Sequence, residues 1–141
     1  MNSNKITIVT PTYNNLPYIK KTIDSVTNQS FKNWEMLISD DRSTDGTIQF
    51  LKQIKNKKIK IFFQKHNLGI FGNLQFLNLK AKTSIIKILC GDDYLQKNSL
   101  KHINLFMQKN KSCHVLTCFD QLSRKHPTLK ILSKIGGKPY L

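Results

Sequence analysis

The feature that most constrains this chain is a regular alternation of short apolar runs with helical stripes. Lys5–Thr10 (KITIVT), Glu35–Ser39 (EMLIS), Ile59–Phe63 (IKIFF), Ser84–Leu89 (SIIKIL) and Val115–Phe119 (VLTCF) read as five strands, being rich in β-branched and aromatic residues and bounded by turn formers. Between the first two, Leu16, Ile19, Ile23 and Val26 recur at spacings of three and four, which places them on one face of a helix. Ser43, Thr44 and Asp45 are cap candidates for a second helix with Ile48, Leu51 and Ile54 inward, and Leu74, Leu77 and Ala81 mark a third. Asn98 or Ser99 opens a fourth, facing inward through Leu100, Ile103 and Phe106 or Met107. Strands and helices alternating at this pace build βαβ units, so the expected class is α/β, a mostly parallel sheet with helices on both faces.

A chain of 141 residues fits one domain with a single core, and no uninterrupted apolar run approaches the roughly 20 residues that cross a bilayer. The start, Met-Asn-Ser-Asn-Lys, lacks the pattern of a secretory signal, so a soluble, cytoplasmic protein is expected. Three cysteines, Cys90, Cys113 and Cys118, include no C-x-x-C pair and read as free thiols. Cys113, His114 and Cys118 match no tight zinc spacing and read as packing on a strand.

The net charge of +15 invites a nucleic-acid reading. Yet 21 of the 23 basic residues are lysines, the arginines being Arg42 and Arg124, and they accompany abundant Ile and Asn, the composition that an AT-rich genome produces. No nucleic-acid-binding motif is present, so no specific nucleic acid is expected. The charge also suits peripheral contact with anionic lipid headgroups at the inner membrane face, where each nearby basic residue adds about 1 kcal/mol.

Against that background the acidic residues stand out. Of eight, five fall in two clusters, Asp40-Asp41 with Asp45 and Asp92-Asp93, each directly after an expected strand. Ligands of an open α/β sheet bind outside the carboxyl ends of the strands, so Tyr13, Asp41 and Asp93 share one rim. Adjacent carboxylates raise one another's pKa unless something positive compensates, and Mg²⁺ or Mn²⁺, which prefers oxygen donors, does so at Asp92-Asp93. The plainer reading of Asp-Asp after a strand is a turn or helix start, which Asp also favours.

Four segments together are more specific: Pro11-Thr12-Tyr13-Asn14, Asp40 through Thr47 (DDRSTDGT), Asn67-Leu68-Gly69 and Gly91-Asp92-Asp93, each following a strand in turn. In order and spacing they resemble the family-two glycosyltransferases, across about residues 5 to 110. The resemblance implies a Rossmann-like GT-A core and inverting, metal-assisted transfer from a nucleotide-diphosphate sugar, a UDP-sugar first, to a glycan or lipid-linked acceptor in polysaccharide biosynthesis. It further implies that Pro11, Thr12 and Tyr13 line the base and ribose pocket and that Asp41 accepts a hydrogen bond from the base imide. Asp92 then lies towards the ribose, and Asp93 binds the Mg²⁺ or Mn²⁺ that bridges the phosphates. Asp40 and Asp45 are expected to hold the loop in shape, with Asp45 also a cap candidate.

Two departures limit the carry-over. Many members continue from Asn-x-Gly to Ala-Arg-Asn, whereas this chain reads Ile70-Phe71-Gly72-Asn73. No phosphate-contacting arginine is thereby assigned, which leaves Lys65 or His66 as substitutes or as solvated loop residues. The catalytic base is unassigned too, since Asp120 is the one carboxylate after Asp93. The expected organisation is a nucleotide-sugar-binding core over residues 1–120 and the incomplete start of an acceptor half over 121–141, with a poorly ordered tail from Arg124 and a tendency to self-associate. A non-catalytic or decayed nucleotide-sugar-binding domain is the second reading.

Overall fold

The structure, a computed structural model, describes residues 5–112. Val115–Phe119, Cys113, His114, Cys118, Asp120 and the tail from Arg124 lie outside the described residues. Eight elements follow in the expected order: β1 (Ile6–Thr12), α1 (Leu16–Thr27), β2 (Trp34–Asp40), α2 (Thr47–Leu51), β3 (Ile59–Phe63), α3 (Gly69–Lys80), β4 (Ile85–Ile88) and α4 (Ser99–Lys109). The chain divides into two compact units, Met1–Asn104 and Leu105–Leu141, and all four strands, α1 to α3 and the loops that follow the strands belong to the first.

All strand pairs are parallel, in the order β3-β2-β1-β4. The chain steps from β1 outward to β2 and β3, then returns to the other side of β1 for β4. Right-handed crossovers therefore put α1 and α2 on one face of the sheet and α3 on the other. The packing agrees. Val9 and Leu37 form a buried cluster with Leu77 of α3, flanked by Phe62, Leu74, Phe76 and Ala81, and the Phe62 and Phe76 rings meet edge to face at 5.3 Å. The alternate residues Ile6, Ile8, Met36 and Ile38 point to the opposite face and are fully buried, as are Ile19 and Val26 of α1 and Leu51 of α2. Each such side chain contributes about 1.5–3 kcal/mol of burial.

β3 has the bounds expected from its sequence, but β1 runs two residues further than expected, through Pro11 to Thr12. Pro11 is tolerated because it sits near the strand end, where its carbonyl still accepts the Gly91 N–H at 3.1 Å. α2 is shorter than its apolar stripe suggests and closes at Leu51, leaving Ile54 in the loop beyond. In α1 the expected Leu16 is 41% exposed, and Thr22 takes a buried place among Ile19, Ile23 and Val26. Gln29 joins α1 to the start of α4 inside the first unit: its amide donates to the Ser25 and Gln96 carbonyls and accepts from the Leu100 N–H. No helix among the described residues is long and apolar enough to cross a membrane.

Candidate functional site

The strand order reverses at β1, and the crevice of an open α/β sheet opens outside the carboxyl ends of the strands at that point. A cleft of about 370 Å³ lies there. Pro11, Thr12, Tyr13 and Asn15 reach it from the end of β1, Asp41 from β2, Asn67, Gly69, Ile70 and Asn73 from the start of α3, and Cys90, Gly91 and Asp92 from the turn after β4. Five of the six residues singled out from the sequence for substrate and metal thus line one cleft, and Asp93 adjoins them. A second hollow, about 550 Å³, runs along β3 and is lined by Phe62, Phe63, Lys65 and His66 among others, without a carboxylate. It is the larger of the two, yet Lys65 and His66 line it and not the cleft.

The loops after β1 and β2 are laced into one another. Asn14, held at a left-handed φ of 53°, donates its N–H to Ser43 Oγ at 2.8 Å and accepts from the Thr44 N–H at 2.8 Å. Asn15 donates its N–H to Thr47 Oγ1, and Leu16, first residue of α1, donates its N–H to Asp45 Oδ2. Asp45 Oδ1 meanwhile accepts from the Thr47 N–H and hydroxyl, so one carboxylate serves the first turns of two helices. Burial pushes the Asp45 carboxyl up, but the Thr47 hydroxyl and the Leu16 and Thr47 amides outweigh it and hold the group below its ordinary range.

Asp40 and Asp41 are neighbours in sequence with different employment. Successive residues leaving a strand point to opposite faces. Asp40, fully buried, turns towards the α1 side, where it accepts from the Ser43 N–H at 2.9 Å and the Ser43 hydroxyl at 2.5 Å. Those bonds hold the intervening Arg42 at a left-handed φ of 68°. Asp41 turns towards α3: its Oδ1 accepts the Leu68 N–H at 2.7 Å, and its own N–H donates to the Thr12 carbonyl. Asp41 Oδ2 has no hydrogen bond among the described residues, which leaves an acceptor on the cleft wall.

At the other end of the cleft, the turn after β4 passes hard against β1. A Cβ on Gly91 would lie 2.4 Å from Thr12 Oγ1 and 2.9 Å from Asn15 Oδ1, so only glycine fits. Its N–H and carbonyl are fastened to Pro11 and to the Thr22 hydroxyl. This turn presents Asp92 and Asp93, both exposed, with a carboxylate oxygen of each and Cys90 Sγ within 4.8 Å of one another. Neither aspartate side chain has a hydrogen bond or ion pair among the described residues. Burial raises the Cys90 thiol, as do the Asp93 and Asp92 charges, with Lys87 opposing. That keeps the sulfur protonated and unsuited to a hard cation, whereas two free carboxylates at the mouth of a cleft fit Mg²⁺ or Mn²⁺.

Sequence reasoning did not single out Asn15, Ile70, Asn73, Cys90 or Gly91 for the site. Gly91 carried a signal, a glycine directly before an acidic pair; the other four carried none that hydropathy or charge would show.

The chain belongs to glycosyl transferase family 2, which it matches over residues 7–136. It is 34% identical over 110 residues to the putative teichuronic acid biosynthesis glycosyltransferase TuaG of Bacillus subtilis, covering 77% of this chain and 43% of that protein. To the poly(ribitol-phosphate) beta-N-acetylglucosaminyltransferase TarS of Staphylococcus aureus it is 31% identical over 112 residues, covering 77% of this chain and 20% of TarS. The crystal structure of TarS in complex with UDP-GlcNAc superposes with a TM-score of 0.71 at 28% identity, over 76% of this chain and 32% of that one. A mannosyltransferase from Pyrobaculum calidifontis, in complex with GDP-Man and Mn²⁺, shares the fold with a TM-score of 0.63 at 20% identity. The chain spans less than half the length of TuaG and a fifth of TarS.

Proposed function

We propose that the cleft binds a nucleotide-diphosphate sugar, a UDP-sugar first, and that the chain serves inverting transfer of the sugar to a glycan or lipid-linked acceptor. The observation that carries this is the convergence of Pro11, Thr12, Tyr13, Asp41 and Asp92 on one cleft at the reversal of strand order. In this reading Pro11, Thr12 and the half-exposed Tyr13 ring hold base and ribose, Asp41 Oδ2 accepts from the base imide, and Asp92 faces the ribose. Asp93 would hold Mg²⁺ or Mn²⁺, which when bound offsets the negative charge of the departing diphosphate.

Inversion requires a base within hydrogen-bond reach of the acceptor hydroxyl, on the side of the anomeric carbon opposite the leaving diphosphate. None of the cleft residues is assigned that role. Residues 1–120 form the nucleotide-sugar core in this reading, and 121–141 begin the acceptor half. The basic surface suits peripheral contact with an anionic membrane and its lipid-linked acceptors.

Titration calorimetry tests the binding step. UDP is expected to bind with measurable heat in Mn²⁺ or Mg²⁺ and more weakly with chelator. Equal affinity in both conditions would remove the metal from the proposal, and absence of binding to any nucleoside diphosphate would remove the donor site. A panel of labelled nucleotide-sugars, assayed for turnover, separates a transferase from a domain that binds donor without transfer.

A further inference from the structure

We propose that Asn73 reads the base of the bound nucleotide, acting beside Asp41 as a second hydrogen-bond acceptor and restricting the base to one with a lactam N–H. The inference rests on the nucleotide reading of the cleft and adds to it the choice of base.

Asn73 belongs to α3, lines the cleft and is 1% exposed. Its Nδ2 donates to the Ser39 carbonyl at 2.9 Å. That carbonyl can only accept, so the amide cannot be turned round, and Oδ1 is fixed as the free end. Oδ1 is buried and has no partner among the described residues. An acceptor shut away from water without a donor costs about 1–3 kcal/mol, a cost that a ligand donor would recover. Asp41, lining the same cleft, is in a related position, one oxygen taken by Leu68 and the other open.

Two open acceptors and no open donor between them define what base edge can lie there. Uracil and guanine each carry a ring N–H on that edge, and guanine adds an amino group. Adenine and cytosine present a ring nitrogen lone pair instead, which two facing oxygens would repel. A site built to hydrogen-bond an N–H rejects a ligand lacking it far more strongly than an apolar pocket rejects a change of size.

The test uses the full chain with Mn²⁺ and four diphosphates, UDP, GDP, CDP and ADP, with pyrophosphate as a ligand that has no base. UDP or GDP is expected to bind at least about tenfold more tightly than CDP and ADP. Asn73→Ala should weaken the favoured nucleotide by about five- to tenfold and narrow its lead, leaving pyrophosphate affinity unchanged. Gln64→Ala removes the other side-chain bond to Ser39, from Gln64 Nε2 to Ser39 Oγ, and should keep the base preference.

Equal binding of all four nucleotides by the wild type overturns the inference, as does a preference unchanged by Asn73→Ala or lost equally in Gln64→Ala. If Asn73→Ala does not fold, the wild type is compared on the favoured nucleotide and its analogue methylated at the lactam nitrogen, and equal affinity overturns it. Binding without base preference would sink this inference alone. Failure of every nucleotide to bind would sink it together with the donor site.

Discussion

Asp40 and Asp41 at the end of β2 are buried and hydrogen-bonded, with three of their four carboxylate oxygens held by Ser43 and Leu68, whereas Asp92 and Asp93 after β4 are exposed and make no hydrogen bond or ion pair among the described residues. Both pairs are Asp-Asp directly after a parallel strand, and both face the cleft end of the sheet. The difference lies in what each loop must do. The β1 and β2 loops cross-brace one another, so their polar groups are consumed in fixing backbone. The β4 turn is fixed instead by its glycine and by main-chain bonds to Pro11 and Thr22, which leaves its carboxylates over for a ligand. Acidic residues in one kind of place thus divide into those that build the site and those available to use it.

Asp40→Ala is the strongest way to break this division. Removal leaves the Ser43 N–H and hydroxyl without their buried acceptor and releases Arg42 from its left-handed turn, at an expected cost of about 3 kcal/mol in urea denaturation. A loss below about 0.5 kcal/mol would mean that Asp40 braces nothing and that the two pairs differ only in exposure.

Asp45→Ala tests the same bracing at the helix starts, with an expected loss near 1 kcal/mol at neutral pH. Its pH dependence follows from the depressed carboxyl. The folded group ionises below its ordinary 3.8, so its stabilisation is complete above that value and is lost as pH falls through the folded pKa. The gap between wild type and Asp45→Ala should therefore hold steady at neutral pH and close in the acid range. A gap that widens on acidification would contradict the hydrogen bonds assigned to this carboxylate.

Much of this arrangement was legible in the sequence, for physical reasons that also explain the remainder. Parallel strands buried on both faces read as continuous apolar runs, so the strands were visible, and β3, set between Lys58 and Gln64, kept its bounds. The acidic clusters were visible because the rest of the chain is so basic. Hidden were polar residues in apolar places: Asn73 stands four residues before Leu77 on the buried face of α3, where hydropathy reads it as surface. Hidden too was the end of β1, since a proline is a stop signal in most strands and is accommodated here only by its place at the rim. Nor could spacing alone tell which oxygens of Asp41 are spent, because Leu68 reaches it from 27 residues away.

Asp93→Asn carries the smallest expected effect on stability and the sharpest on function. Its carboxylate is exposed and holds no hydrogen bond or ion pair among the described residues, so the amide should leave the urea midpoint within about 0.5 kcal/mol of wild type. The neighbouring Asp92 even gains slightly, because one of two adjacent like charges is gone. A hard divalent cation, in contrast, depends on carboxylate charge as well as oxygen, and an amide oxygen supplies a weaker ligand. UDP affinity in Mn²⁺ should then fall to the value measured with chelator, while the metal-free affinity stays where it was. Asp41→Asn makes the opposite pattern: some stability is lost at α3, and affinity falls equally with and without metal. A retained metal effect in Asp93→Asn would place the cation elsewhere, and a large loss of stability would show that the β4 turn, like the β2 loop, uses its carboxylates to hold itself.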